Sequence, residues 1–217
     1  MIPLALLALG TVVLRALDVD LAVAHWLYRY GHFFETEHGP LGILYRFAPV
    51  PGLALGLAAL GLLVAVPWSA RTRRHWRAWA FLVALLALGP GLLVNGILKD
   101  YTGRPRPYQI QDFGGPYPYR PVFRLGPPGE GYSFPSGHAT IAFYLMSPFF
   151  LCWRRHRRCA WLSLAVGLAW GTLIGLVRML QGGHFASDVL WAAGVVYLLG
   201  WLLWWVLRPE APWAGDA

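Results

Sequence analysis

The sequence predicts an all-α polytopic membrane protein, a bundle of six transmembrane helices with an interfacial helix and a loop on the outer face. Three observations support this fold class. The 217-residue chain has a mean hydropathy of +0.48, only 13% of its residues are charged, and five apolar stretches are long enough to cross a bilayer. This composition excludes an ordinary soluble domain. No internal repeat or second domain is evident, so residues 1–217 are expected to form one domain.

The predicted spans follow the apolar runs. The first run, Ile2–Leu14, is shorter than the others and resembles a signal-peptide core. It lacks a basic segment before it and a clear cleavage site, so we interpret it as a short first span. Asp18–Phe34 mixes aromatic and polar residues, which predicts a helix lying on the membrane surface with Asp18 or Asp20 as N-cap. The longer spans are Phe47–Trp68, Ala78–Leu98, Ser136–Trp153, Ala160–Val177 and Val189–Leu207.

Two arginine clusters fix the expected orientation. They are Arg71, Arg73, Arg74 and Arg77, between spans two and three, and Arg154, Arg155, Arg157 and Arg158, between spans four and five. The positive-inside rule places both clusters, and with six spans both termini, in the cytoplasm. The loops Ala16–Arg46, Lys99–Pro135 and Arg178–Asp188 then face outward. Much of the net charge of +8 thus reflects topology, and no basic stripe indicates a nucleic-acid partner.

Two cysteines flank the second arginine cluster. Cys152 and Cys159 are predicted to lie on the cytoplasmic side, where a disulfide is not expected. We interpret them as small apolar residues at helix ends.

Three polar clusters are predicted to meet on the outer face, with the sequences KDYTGRPRP (99–107), SFPSGHA (133–139) and RMLQGGHFASD (178–188). They bring together four cations: Lys99, Arg104, Arg106 and Arg178. Each one alone would be an ordinary interfacial anchor. The positive-inside rule, however, predicts few basic residues on this face. Cations gathered at three loop–span junctions, with few carboxylates beside them, indicate a bound anion.

The positions of several glycines indicate how this anion site is built. Gly167, Gly171 and Gly175 form a GxxxGxxxG stripe for close helix packing, and Arg178 continues on the same face, toward the bundle interior. PSGH opens span four, where free backbone N–H groups and the helix dipole favour an anion. Gly137 would allow the anion to approach the backbone closely.

Two histidines complete the predicted chemistry. His184 and Asp188 are four residues apart, so a helix beginning near His184 would let the carboxylate accept from one ring nitrogen and leave the other basic. His138 has no carboxylate near it in sequence and would serve as the acid. Imidazoles among cations are suited to phosphoryl transfer through a phosphohistidine. No Cys cluster, HExxH or paired-carboxylate motif indicates a metal, and no cofactor is expected.

The three motifs together resemble the type-2 phosphatidic acid phosphatase family. Its signature KxxxxxxRP, PSGH and SRxxxxxHxxxD is matched by residues 99–107, 135–138 and 178–188, and the likeness extends over roughly residues 50–205 and the six-helix plan. The resemblance implies a metal-independent membrane lipid phosphatase. In it, His184 would be the nucleophile, Asp188 its orienting partner and His138 the general acid. The phosphate would be bound by Lys99, Arg106, Arg178, Ser136 and the Gly137 amide.

Three further features of the sequence concern the phosphate site and the access of the lipid to it. Val177 stands where the family usually has serine, which removes one hydroxyl near the phosphate. Arg104 is an additional cation that would bind the phosphate or a head group beside it. The segment Tyr108–Phe134, rich in Tyr, Phe, Pro and Gly, either lines a lipid entrance or lies on the membrane surface.

The sequence also leaves open which lipid is the substrate and which molecule accepts the phosphate. The motifs look most like those of bacterial lipid A phosphatases, and phosphatidylglycerophosphate, phosphatidate and isoprenyl pyrophosphate are the other candidates. A phosphotransferase would use the same site to pass phosphate to a second lipid. A non-catalytic anion channel or transporter is a third hypothesis, although the spans contain few of the ionisable residues it would need. A haloperoxidase shares the motifs but is soluble, which this hydropathy argues against.

Overall fold

The computed structural model describes residues 2–34 and 39–209, and within these ranges the chain forms helices and loops without a β-strand. Residues 35–38 of the predicted loop Ala16–Arg46 and the C-terminal residues 210–217 lie outside the described residues. The helices are α1 (Ile2–Ala16), α2 (Val19–Leu27), α3 (Pro40–Phe47), α4 (Val50–Val64), α5 (Ala70–Arg74), α6 (Trp76–Leu86), α7 (Lys99–Thr102), α8 (Gly137–Phe143), α9 (Pro148–Cys152), α10 (Arg157–Leu180) and α11 (Ala186–Leu207). The all-helical fold class is confirmed.

Within the described residues, four helical stretches are long and apolar enough to cross a membrane: Pro40–Val64, Trp76–Gln109, Arg157–Leu180 and Ala186–Leu207. The remaining two predicted spans coincide with shorter apolar helices, Pro3–Ala16 and Gly137–Cys152. The count of six spans therefore stays a prediction, as does the position of α2 on the outer surface.

The predicted fourth span is interrupted. Between α8 and α9 the chain tightens into a 3₁₀ turn at Tyr144–Met146, and Pro148 then opens α9. A proline has no N–H to donate and kinks or breaks a helix at an interior position, whereas it is favoured in a first turn, so a new helix begins there. The span was predicted from the length of its apolar run, and apolar composition alone does not reveal such a break.

The stretch that leads into the first motif widens into a π-helix. It runs over Ala87–Leu98, directly after α6, and contains Pro90. Asn95 Nδ2 donates to the Pro90 carbonyl oxygen at 2.6 Å, which satisfies an acceptor inside the altered helix. Irregular turns of this kind are frequent at functional sites, and this one ends directly before Lys99, the first residue of the first motif.

Helix α8 lies at the centre of the bundle. It packs against α10, α11, α4 and the π-helix, and the core around it includes Phe81, Leu85, Phe143 and Phe150. The buried Tyr144 hydroxyl that follows α8 donates to the Leu82 carbonyl at 2.8 Å. The PSGH motif therefore opens a helix that is held by neighbours on several sides.

The glycine stripe of α10 faces this core, as predicted. An added Cβ at Gly167 would meet the Met146 backbone, one at Gly171 the Phe143 ring, and one at Gly175 the Val189 side chain. Arg178 lies on the same side and is only 8% exposed. The prediction that close helix packing turns Arg178 toward the bundle interior is confirmed.

The two arginine clusters and the three motifs lie at opposite ends of the helices. The stretch beginning at Trp76 ends at Lys99, and α10 begins at Arg157 and ends just after Arg178. Cys152 and Cys159 lie at the arginine end and form no disulfide bond with each other, with their sulfur atoms 3.2 Å apart.

Helix α2 corresponds to the predicted interfacial helix. Asp18 occupies its N-cap position, but with φ of 46° and no capping hydrogen bond from its side chain. Asp20, the other predicted N-cap, lies inside the first turn and is 3% exposed, with its carboxylate turned toward the loop at the start of α11. Asp18 is therefore the N-cap by position, as predicted, but without a capping hydrogen bond from its side chain, and Asp20 instead joins the buried polar network of the site.

Candidate active site

The three motifs meet at the end of the bundle farthest from the arginine clusters. The 99–107 motif follows the π-helix, the 135–138 motif opens α8, and residues 178–188 connect α10 to α11. Backbone hydrogen bonds join the three segments. The Ser136 amide donates to the Asp188 carbonyl at 3.3 Å, the Tyr108 amide to the Gly182 carbonyl at 3.2 Å, and the Ser133 amide to the Arg104 carbonyl at 3.0 Å.

His184 lies in the α10–α11 loop, two residues before α11, with 3% of its surface exposed. Its Nδ1 is 2.6 Å from the Ser133 backbone carbonyl oxygen. A carbonyl only accepts hydrogen bonds, so Nδ1 carries the proton and Nε2 is the basic nitrogen. Burial lowers the pKa of His184 to about 4, with Arg178 and Arg106 acting in the same direction and Asp188 opposing them. The imidazole is therefore neutral at physiological pH.

Asp188 is completely buried in the first turn of α11. One of its oxygens, Oδ2, accepts from the Phe185 amide at 2.8 Å and from the Ser133 hydroxyl at 2.5 Å. The same oxygen is 3.6 Å from His184 Nδ1. The predicted proximity of His184 and Asp188 is thus observed, but the direct acceptor for Nδ1 is the Ser133 carbonyl, since α11 starts at Ala186 and leaves His184 outside the helix.

Arg104 lies behind Asp188, away from the predicted phosphate position. Its guanidinium donates to Asp188 Oδ1 at 2.5 Å, to Asp20 Oδ2 at 2.7 Å, to the Ser187 hydroxyl at 2.7 Å and to the Arg120 carbonyl at 2.9 Å. Only 2% of the residue is exposed. This geometry argues against the prediction that Arg104 binds phosphate, because protein acceptors already occupy all three guanidinium nitrogens.

His138 and Arg178 share an aromatic neighbour. The Tyr45 ring stacks on the His138 imidazole at 4.6 Å between centroids, and the Arg178 guanidinium lies 4.8 Å from the centre of the Tyr45 ring. Arg178 Nη1 also donates to Gln181 Oε1, while its buried Nε has no hydrogen-bond partner among the described residues. His138 is within electrostatic reach of Arg178, His184, Lys99 and Arg106.

Lys99 and Ser136 adjoin the start of α8. A Cβ built on Gly137 would lie 2.7 Å from Lys99 Nζ and 2.7 Å from Asn95 Oδ1, so the absence of a side chain there lets the ammonium group approach the helix. Ser136 is fully buried, and its Oγ has no hydrogen-bond partner in the part of the chain that the structure describes. Arg106 lies beside Tyr108, with its guanidinium 3.4 Å from the phenolic oxygen.

The cations of the site differ in whether a carboxylate balances their charge. Arg104 is paired with two carboxylates, whereas no carboxylate of residues 2–34 and 39–209 lies within 4.0 Å of the charged nitrogens of Lys99, Arg106 or Arg178. Buried or half-buried cations without a countercharge, beside an unpartnered hydroxyl, form a suitable site for an anion such as phosphate.

Three residues of this arrangement were missed by sequence reasoning. Asp20 and Tyr45 come from segments before the motifs, and no short pattern connects them to the site. Ser133 lies only two residues before Pro135, but its contribution is partly a backbone carbonyl, which carries no sequence signal.

The comparisons with known proteins agree with the three motifs. Residues 77–211 match the model of the PAP2 superfamily. A lipid A 4'-phosphatase of Francisella tularensis subsp. novicida is 31% identical over 185 residues, which cover 80% of this chain and 82% of that protein.

Two further relatives match over shorter regions. A lipid A 4'-phosphatase of Rhizobium leguminosarum is 36% identical, covering 58% of this chain and 51% of its own length. A phosphatidylglycerophosphatase B of Bacillus subtilis is 30% identical, covering 61% and 58%. No solved structure gives a significant match. The family model covers more than half of the chain and the first relative most of it, and this chain therefore belongs to the PAP2 superfamily.

Proposed function

We propose that this protein is a membrane-embedded lipid phosphatase that cleaves a phosphate ester through a phosphohistidine formed on His184. In its general class the chain is a phosphoric ester hydrolase, as its family and its relatives indicate. The observation that carries the finer proposal is the hydrogen bond from His184 Nδ1 to the Ser133 carbonyl. This bond leaves Nε2 as a neutral nucleophile without a partner among the described residues, within electrostatic reach of Arg178 and Arg106, two of the three cations that lack carboxylate partners.

The reaction has two steps in this proposal. His184 Nε2 attacks phosphorus, the bond from phosphorus to the lipid oxygen breaks, and the electron pair leaves with that oxygen, which takes a proton from His138. Water then attacks phosphorus, gives its proton to the now neutral His138, and breaks the P–N bond. Inorganic phosphate leaves and both histidines return to their starting forms.

The other residues stabilise charge in these steps. Lys99, Arg106 and Arg178, with the Ser136 hydroxyl and the Gly137 amide, would bind the phosphoryl oxygens. Asp188, beside His184 Nδ1, would stabilise the imidazolium character that develops when Nε2 bonds to phosphorus. None of these steps requires a metal ion, which makes activity in the presence of EDTA an expectation.

The substrate we favour is a phosphorylated membrane lipid of the lipid A type. The relative that covers most of this chain is named for that substrate, and the apolar helices that surround the site suit an amphipathic ligand. We further propose that the site faces the outer side of the cytoplasmic membrane, because the arginine clusters at the opposite end of the bundle are expected to stay in the cytoplasm.

The test is phosphate release by purified protein from a lipid panel in the presence of EDTA. The panel contains lipid A, phosphatidylglycerophosphate, phosphatidic acid and undecaprenyl pyrophosphate. Release from one lipid, absent in His184→Ala, is the expected result and identifies the substrate. Label that moves from one lipid to another would instead indicate a phosphotransferase. No turnover of any lipid by folded protein would leave the non-catalytic anion channel or transporter.

A further inference from the structure

Arg104 is held in a ring of acceptors supplied by three parts of the chain. Asp20 comes from α2, Ser187 and Asp188 from the first turn of α11, and the Arg120 carbonyl from the loop before α8. Arg104 also packs on the Phe185 ring, with its guanidinium carbon 4.5 Å from the ring centre. Burying a charge is costly unless it is paired, so this ring determines the position of the guanidinium.

Asp20 holds Arg104 and also contacts the start of α11. Besides accepting from Arg104, its Oδ1 accepts from the Ser187 amide at 2.8 Å and its Oδ2 from the Ser187 hydroxyl at 2.5 Å. Asp20 therefore connects α2 both to the guanidinium and to the first turn of α11, which carries Asp188. The side chains of Asp20, Arg104 and Asp188 are 4%, 2% and 0% exposed, so water does not screen these contacts.

The two oxygens of Asp188 have different hydrogen-bond partners. Arg104 occupies Oδ1, while Oδ2 accepts from Ser133 and Phe185 and lies 3.6 Å from His184 Nδ1. A carboxylate with both oxygens held by hydrogen bonds cannot rotate. Part of its charge is also balanced by Arg104, which limits its attraction for a proton on His184 before phosphate binds.

We propose that Arg104 and Asp20 are positioning residues of the phosphatase, with Asp20 holding Arg104 and Arg104 setting the orientation and effective charge of Asp188 beside His184. The inference rests on the proposed function, in which His184 is the nucleophile. It assigns the aspartate of α2, which lies outside the three motifs, to the active site, and it gives Arg104 a role that does not involve contact with phosphate.

The charged groups around His184 give the sign of the expected change. Asp188 favours the protonated imidazole, whereas Arg178 and Arg106 disfavour it, and His138 is also within electrostatic reach. Removing the Arg104 charge leaves Asp188 less neutralised. His184 should then protonate at a higher pH, and the acid limb of kcat/KM should move upward.

The test uses a charge-balanced double variant, Asp20→Asn with Arg104→Gln. It removes one buried charge of each sign and avoids the pair of unpaired carboxylates that Arg104→Gln alone would leave. We expect kcat to fall about 10- to 100-fold, as for other groups that orient a reacting imidazole. The acid limb should move up by about one pH unit.

A matched control comes from the same loop. Glu130→Gln removes a carboxylate that pairs with Arg120 at 2.5 Å and does not contact Asp188, so the acid limb should stay in place. Inhibition by inorganic phosphate separates positioning from binding. The inhibition constant should be unchanged in the double variant and should rise in Arg106→Gln.

Two results would overturn the proposal: lost activity with an unmoved acid limb, or a double variant whose inhibition by phosphate weakens as much as that of Arg106→Gln. ¹⁵N NMR of histidine-labelled protein, with His184 assigned by the signals lost in His184→Ala, follows the same protonation without turnover. A native protein that releases no phosphate would refute the proposed function. The His184 titration would still test the positioning of Asp188.

Discussion

Lys99 approaches the start of α8 at Gly137, and this approach of two motifs can be tested with a single methyl group. In Gly137→Ala the new Cβ would lie 2.7 Å from Lys99 Nζ and from Asn95 Oδ1, whereas ordinary contacts begin at 3.4 Å. Both atoms would have to retreat by about 0.7 Å. A displacement approaching 1 Å costs up to about 100-fold in rate when it affects a group that binds the reacting atoms.

We therefore expect kcat/KM of Gly137→Ala to fall about 10- to 100-fold, and the inhibition constant for inorganic phosphate to rise, because the ammonium group moves away from the phosphoryl oxygens. Stability should change little, since both displaced atoms are ends of side chains. The assays are steady-state phosphate release and the midpoint of thermal unfolding.

Gly96→Ala is the matched control. Gly96 lies in the π-helix three residues before Lys99, and its added Cβ would be no closer than 3.6 Å to any neighbour. Its kcat/KM should remain native. Native kcat/KM in Gly137→Ala, together with lost activity in Lys99→Ala, would refute the idea that the approach of Lys99 to the start of α8 builds the phosphate site.

Three further outcomes follow from the geometry. Because burial lowers the pKa of His184 to about 4, its neutral form persists into acid, so the acid limb of kcat/KM is expected below about pH 5. The cations around His138 oppose its protonation in the free enzyme, so its alkaline limb is expected in kcat, where the bound phosphate dianion offsets those cations; a profile that is flat from acid to alkaline pH would contradict the paired histidines. Ser133→Ala keeps the carbonyl acceptor but removes the hydroxyl that donates to Asp188, and kcat should fall about 10-fold in steady-state assays. Tyr45→Phe keeps the ring beside His138 and should retain kcat, whereas Tyr45→Ala should lower it; equal values for the two variants would exclude a role for stacking.

The helical fold and the convergence of the motifs were predictable because both depend on patterns that the chain repeats locally. Apolar runs predict helices that are buried or lie in a membrane, and the arginine clusters predicted which ends belong together. The glycine stripe placed Arg178 correctly because a helix has a fixed period. The break at Pro148 and the π-helix were missed, since hydropathy averages over the backbone irregularities that produce them.

The roles of the individual cations were harder to predict, because all four have similar sequence surroundings. Arg104 and Arg106 are two residues apart in GRPRP, and both follow the same helical stretch. What distinguishes them is the position of Asp20, 84 residues before Arg104, which no local pattern connects to it. A contact at that distance in sequence depends on how α2 packs against α11.

The distribution of carboxylates gives the four cations two kinds of role. A guanidinium between two buried carboxylates gains little from a further anion, and its donors are already used. A cation that is partly desolvated and has no countercharge gains most from a dianion. Asp20 and Asp188, the two buried carboxylates at this end of the bundle among the described residues, both pair with Arg104. Lys99, Arg106 and Arg178 therefore keep their charge, which the proposed mechanism uses to bind the phosphoryl group. The same pairing holds Asp188 beside His184, so in the proposed mechanism one ion network both leaves the phosphate site positive and orients the nucleophile.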